Sequence, residues 1–451
     1  MTLSEKIAHF VINPAPFTDK AVYLAVRSII DTMGAMVIGS GTSAVEMAEA
    51  TVPQGGNCTV IGNGRKVLNR DAAFINGISG HELELDDTSS SNLGHPTVAV
   101  LPSLLAIGEE RGCSGRKLIE AFLVATEVEC KIGRICARKL HEKGWHASSI
   151  TGVIGAAAGS AYVMGLDEDK TRNAIGIAAS MASGVRDNFG TLTKSIHIGK
   201  TAEDGLRAAL LAEKGFTSSS TALEGKEGYI FEYAGIRDTN GEFDEIIDSM
   251  GYDWDICSPG FTLKRYPSCS STHRPVDALI DLIDENNIKA EDVERIDIGL
   301  SESALRELVT PYPKDGEEAK FSVGFQTALY LAGMENMPYN YVPEVIEEIE
   351  IQNIIRRTHM NEEEKYNNLP SDMGVGPAFV TIRLKDGRTF SKERKFPVGH
   401  LTDPISDEDL RAKFFTCTKP ILGDTKAERL YENLLNLNGV NDIKETIFMT
   451  Y

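Results

Sequence analysis

The stretch AFVTIRLKDGRTFSKERKF, residues 378–396, alternates apolar and polar side chains on either side of Lys385-Asp386-Gly387. Period-two alternation sets one face of a strand against a core, and Asp-Gly supplies the positive φ angles of a tight turn. The stretch therefore predicts a β-hairpin. VERIDIGLS (293–301) predicts a further strand, following a helix over 275–285. Outward from this region the period changes. Val22, Val26, Ile29, Ile30 and Met33 share one face of a helix over 21–33. Segments 118–128 and 206–212 behave alike, with Gly215 as a stop after Lys214. The character shifts after about Pro259, and beyond Pro404 SDEDLRAKFF is helical again. The expected fold is mainly α with an inserted α+β domain. A large helical-bundle domain takes 1–260 and is completed by 391–451, and a smaller α+β lid domain takes 261–390.

A chain of 451 residues is longer than one hydrophobic core usually serves, which agrees with two domains. Its formal net charge of -20 argues against nucleic acid and anionic membranes as partners, because both need clustered Lys and Arg. An anionic small molecule is compatible only where the charge is locally inverted. The seven cysteines are scattered, odd in number and without a CxxC pair, which predicts a reducing, cytoplasmic setting and no zinc knuckle or iron–sulfur cluster. The opening MTLSEKIAHFVINPAPF lacks the charged-then-apolar run of a signal peptide. ITGVIGAAAGSAYVMG (150–165) reads as too short for a bilayer span, and its small residues suit a buried helix packed close to its neighbours.

The sequence holds no Walker loop, no GxSxG elbow and no complete GxGxxG. In HEKGWH, His141 and His146 stand five apart, a poor spacing for two metal ligands on one helix face, so no metal is expected. Four polar segments beside small or apolar residues remain. GHELELDDTSSSNLGHPTVAVLP carries Glu84, Asp86, Asp87, Thr88 and His95, and GWHASSITGVIGAAAG carries His146. GVRDNFGTLTKSIHIGK carries Arg186, Lys194 and His197, and LKRYPSCSSTH carries Lys264, Tyr266, Cys269 and His273. Asp86-Asp87-Thr88 would serve equally as a helix cap, and His95 or His146 as a histidine bonded to nearby backbone. Cys269 reads first as a buried, inert thiol. Lys194 is harder to place structurally: it lies between glycines 190 and 199, which predicts a bend before a helix beginning near Thr201. Together the segments offer cations for carboxylates and imidazoles for proton transfer, which is the chemistry of an anionic carbon acid.

These segments resemble the MmgE/PrpD family, which includes 2-methylcitrate dehydratase, cis-aconitate decarboxylase and iminodisuccinate epimerase. The resemblance is carried by ELDDT…GHPTVAVLPSLLAIGE, GWHASSITGVIGAAA, NFGTLTKSIHIGKTAEDGLRAALLAEKGFTSSSTALEGKEGY, KRYPSCSSTH and LKDGRTF…PVGHLTDPISDEDLRAKF, across about residues 5 to 420. It implies a homodimer of two-domain chains, an active site between the domains, and chemistry without metal or organic cofactor. By similarity to the decarboxylase, His95, His146 and Lys194 would do chemistry. Glu84 (for an aspartate), Thr88 and Lys264 would bind substrate, and Arg186 and His197 join them as candidate contacts. Cys269 stands where the decarboxylase has a second lid histidine, and Phe325 where it has a tyrosine. The implied function is a cofactor-independent lyase, dehydratase or decarboxylase, acting on a citrate-like di- or tricarboxylate. Two other readings stay open: an epimerase or isomerase of an amino- or imino-dicarboxylate, and a family member that binds without catalysis. A Schiff-base role of Lys194 toward pyridoxal phosphate lacks a phosphate cradle in the sequence.

Overall fold

The computed structural model describes residues 1–369 and 376–448, and by contacts the chain forms two compact units. Unit 1 takes Met1–Glu82, Asp86–Phe261 and Ser406–Tyr451, and unit 2 takes Leu83–Leu85 and Thr262–Ile405. The helices that matter for unit 1 are α1 (Asp19–Gly39), α2 (Asn69–Glu82), α3 (Pro96–Arg111), α4 (Gly115–Glu142), α5 (Ala147–Met164) and α6 (Thr193–Glu213). In unit 2, α7 (Ser270–Asn286) precedes strand β1 (Val293–Leu300), α8 (Val323–Leu331), β2 (Thr358–Glu362), β3 (Ala378–Leu384) and β4 (Thr389–Arg394). A mainly α chain with an α+β insertion is what the periodicities imply.

The long helices are capped where the sequence offers a hydroxyl or carboxyl. Thr18 caps α1 through Ala21 N–H and Ser114 caps α4 through Lys117 N–H. Helix α5 lies in the middle of the bundle and is buried from Ala147 to Ala161. Its glycines explain why the backbones come so close. A Cβ on Gly152 would stand 2.6 Å from Ala99 Cβ, on Gly155 2.6 Å from the Ala125 carbonyl oxygen, and on Gly159 2.7 Å from Ala125 Cβ. Alanine favours a helix over glycine by about 1 kcal/mol. At Gly155 the obstacle is backbone, which cannot rotate away, so the clash wins. Gly155→Ala is expected to destabilise the protein by about 1–3 kcal/mol, read as a lower urea midpoint at unchanged slope. Helix α5 runs 18 residues, longer than the apolar run in the sequence suggests. Like α1 it is long and apolar enough to cross a membrane, yet 83% and 72% of their apolar windows lie buried inside the protein.

The sheet of unit 2 has the order β2-β1-β3-β4, with β1 parallel to β2 and antiparallel to β3, and β3 antiparallel to β4. Ile296, Ile298, Leu300, Val380, Ile382 and Leu384 alternate onto its core with α7 and α8. The hairpin forms at the stretch that predicts it, but only Gly387 of its turn has positive φ, at 91°. The turn is the longer form in which glycine alone takes the left-handed position.

The expected lid boundary at 390/391 needs correction, since it would cut through β4. The chain beyond β4 stays with unit 2 as far as Ile405, held by polar contacts inside that unit. Val398 N–H donates to Asp277 at 2.7 Å, Arg394 reaches Asp281 at 2.7 Å, and Leu263 N–H donates to the Gly399 carbonyl at 3.2 Å. The short segment Leu83–Leu85, read as part of the helical domain, also belongs to unit 2.

Candidate active site

In unit 1 four helix ends bring imidazoles together. His81 lies in the last turn of α2, His95 is the N-cap of α3, His146 is the N-cap of α5, and Lys194 and His197 occupy the first two turns of α6. Neither His95 nor His146 caps its helix through its side chain. The cap of α3 is supplied by Asp87, whose carboxylate accepts from Thr97 N–H at 3.1 Å and from the Thr97 hydroxyl. His95 keeps the nearby backbone contact that the sequence also allows, its Nδ1 lying 3.1 Å from the Asp87 carbonyl oxygen.

The rings are in mutual contact. His81 and His95 have centroids 4.6 Å apart, His81 and His146 5.6 Å, and His146 and His197 5.4 Å. His146 Nδ1 is 3.2 Å from His197 Nδ1, so one ring donates and the other accepts. Asp86 stands behind the cluster, its Oδ2 2.8 Å from His81 Nδ1 and 3.1 Å from His95 Nδ1. Phe189 lies edge-on to His146 at 5.0 Å, and the Lys194 ammonium is 5.1 Å from the same ring.

The bend expected at Lys194 is in fact helix. α6 starts at Thr193, eight residues before the expected start near Thr201. Lys194 and His197, three apart, therefore share a helix face and are both buried. Gly199 lies inside the helix, where a Cβ would come 2.5 Å from the Phe74 carbonyl oxygen of α2. It is there for close packing and ends nothing. Placing a lysine at the positive end of a helix costs electrostatic energy that a bound anion would recover. Lys200 turns away and pairs with Asp204 at 2.6 Å.

Burial keeps His81, His146 and His197 neutral at physiological pH. It pushes His81 well below the ordinary histidine range, with the Lys194 charge adding to it and Asp86 opposing. Burial does the same to His146, reinforced by His81 and His197, and holds His197 at about 4, helped by Lys194. For His197 the folded value lies below the unfolded one near 6.5, so the stability it contributes is present above 6.5 and lost as pH falls toward 4. His197→Gln is expected to flatten the loss of stability on acidification through this window, measured as the difference in urea midpoints between the two proteins across pH.

The remaining candidates sit elsewhere. Thr88 opens a two-residue strand and is half-buried. Arg186 is tied to His141, donating to its carbonyl oxygen at 3.1 Å, and sits 5.6 Å from the Phe189 ring. In unit 2, Lys264 forms a buried ion pair with Glu84 at 2.8 Å, and Glu84 takes a left-handed φ of 54°. Holding a glutamate there costs on the order of 1 kcal/mol or more. Cys269 is the N-cap of α7, with its thiol 3.6 Å from Glu307. Phe325 is fully buried in the core of unit 2, edge-on to Tyr341 at 5.1 Å.

Sequence reasoning missed His81. One of its ring nitrogens and one from each of His95 and His146 lie within 4.8 Å of one another, a spacing that would suit one metal ion. The neighbouring Lys194 charge opposes a cation there, and the Asp86 carboxylate favours one. The signal for His81 was its spacing from Asp86, five residues on, at the end of a helical pattern.

The chain matches the MmgE/PrpD N-terminal domain over residues 3–240 and the MmgE/PrpD C-terminal domain over residues 266–438. It belongs to the MmgE/PrpD family. It is 29% identical to the cis-aconitate decarboxylase of Homo sapiens over 442 residues, 94% of this chain and 89% of that protein. Identity to the Mus musculus cis-aconitate decarboxylase is 27% over 441 residues, covering 94% and 88%. With the cis-aconitate decarboxylase of Aspergillus terreus it is 24% over 470 residues, covering 98% and 94%.

Proposed function

We propose that this chain is a lyase of the MmgE/PrpD type that acts on a citrate-like di- or tricarboxylate by proton transfer at a carbon next to a carboxylate. The observation that carries the reading is the buried imidazole cluster beside the Lys194 ammonium, in which His81, His146 and His197 are held neutral. A neutral imidazole takes a proton at pH 7, which an imidazolium cannot do. An ammonium in a dry site stabilises the negative charge that appears on the substrate as the proton leaves. His95 and His146 are assigned the proton transfer, Lys194 a carboxylate or the developing charge, and His197 the orientation of His146. Lys264 and Thr88 are assigned to substrate binding. The Glu84 ion pair means that a substrate carboxylate at Lys264 would share or displace that partner. The reading needs neither metal nor organic cofactor, and a homodimer is proposed with it on the family resemblance.

An epimerase of an amino- or imino-dicarboxylate is the second reading, favoured by the presence of more than one neutral imidazole, since inversion at one carbon needs two bases. Proton NMR of reactions with citrate, 2-methylcitrate, cis-aconitate and amino-dicarboxylate adducts tests both. A new vinyl signal, with loss of water or carbon dioxide, is the expected result. Recovery of both stereoisomers with no smaller product would move the assignment to the epimerase. No change in any of these acids would remove the citrate-like substrate class.

A further inference from the structure

We propose that His81 is a third proton-handling side chain of this site, held by Asp86 so that its Nε2 lone pair faces substrate. This rests on the carbon-acid reading above and goes beyond it by naming a base that the motifs do not single out.

The residue is 1% exposed, near the C-terminal end of α2, where the helix dipole would favour a charged ring. Its Nδ1 is 2.8 Å from Asp86 Oδ2. An ionised carboxylate only accepts, so the ring proton sits on Nδ1 and Nε2 is the bare nitrogen. That Nε2 is buried and has no hydrogen-bond partner among the described residues. A purely structural histidine in a dry interior has both nitrogens satisfied, and a lone pair left unmet costs about 1–3 kcal/mol. Here the lone pair lies in the imidazole cluster, with the His95 ring at 4.6 Å and the His146 ring stacked at 5.6 Å. Asp86 also approaches His95 Nδ1 at 3.1 Å, where the Asp87 carbonyl oxygen stands at the same distance, so that carboxylate borders both rings and would stabilise either as an imidazolium. Burial and the Lys194 charge keep His81 neutral and ready to accept.

The step is a simple transfer. The carbon–hydrogen bond beside a substrate carboxylate breaks, its proton goes to His81 Nε2, and its electron pair spreads into the carboxylate near the Lys194 charge. In dehydration the same proton then leaves on the departing hydroxide as water, which returns His81 to its neutral form. Asp86 is a positioning residue in this scheme and His81 a catalytic one.

Two measurements on the full chain test it, and only the second needs a substrate. In long-range proton–nitrogen correlation spectra of protein carrying nitrogen-labelled histidine, His81 is assigned by its disappearance in H81Q or H81N. The expected ring is neutral at pH 7 with the proton on Nδ1, and D86N is expected to shift it toward the other tautomer. A proton on Nε2, or a charged ring, overturns the proposal whatever the substrate. With the acid that the wild-type enzyme turns over, H81Q and H81N are expected to lower kcat by about 10²–10⁴-fold with much less change in KM. They should also lose solvent deuterium from the reacting carbon. A folded H81Q with wild-type kcat overturns the proposal. Failure of the wild type on every acid tested would instead count against the carbon-acid reading, with the tautomer result deciding the placement of the Nε2 lone pair by itself.

Discussion

Replacing Lys194 with alanine is expected to lower kcat by about 10²–10³-fold, the loss that follows removal of one preorganised charge-stabilising group. Lys194 is 7% exposed in the first turn of α6, beside the Phe189 ring, in a site where charge is poorly screened. A second consequence distinguishes an electrostatic role from a packing role. The Lys194 charge depresses both His81 and His197, so its removal lets both rings titrate closer to the ordinary histidine range. A base that titrates higher loses activity sooner on acidification. The acid limb of the residual kcat/KM profile is therefore expected to move to higher pH in Lys194→Ala, and to stay close to wild type in Lys194→Arg. A drop in rate with an unmoved acid limb would assign Lys194 to packing alone.

His146→Gln is expected to cost on the order of 10²–10⁴-fold in kcat, because glutamine keeps some hydrogen bonding and loses proton transfer. The ring is buried within the cluster, and its Nδ1 is 3.2 Å from that of His197. Which nitrogen of His146 is protonated is thus set jointly with His197, and the two should act as a unit. His197→Gln alone is expected to be milder, and the double variant to fall within a few-fold of His146→Gln alone, since residues in one network are not additive. Losses that multiply would show two independent roles.

Much of the fold is legible in the sequence because burial imposes a period. The apolar face over 21–33 becomes α1, and the alternation over 378–396 becomes β3 and β4. The glycines of 150–165 announce a close-packed helix, which α5 is. Glycine misleads at α6. Read locally, Gly199 disfavours helix by about 1 kcal/mol and looks like a boundary. In the structure Gly77 and Gly199 meet where α2 and α6 cross, with a Cβ on Gly77 only 2.8 Å from Gly199 Cα. The tertiary gain from that approach outweighs the local penalty, and it cannot be seen in one segment.

The candidate site was legible in part for the same reason. His95, His146, Lys194 and His197 stood out by residue type beside small neighbours, and the helix ends bring them to one cluster. His81 did not, because its role depends on Asp86 returning to it across the short segment in which Glu84 takes a left-handed φ. That turn has no glycine to announce it. Lys264 was expected to be a carboxylate ligand, and its buried pairing with Glu84 arises between residues 180 apart in sequence.

The measurement that tests the central claim most directly is turnover by the wild-type enzyme in deuterated buffer, with the position of deuterium read by NMR. Proton transfer at a carbon beside a carboxylate predicts either loss of an original hydrogen there, in the alkene of a dehydration, or solvent deuterium there, in the product of a decarboxylation or in recovered substrate, and the decline of both in Lys194→Ala. Turnover that keeps every original hydrogen at that carbon and adds none from solvent, or exchange undiminished in Lys194→Ala, would contradict the account.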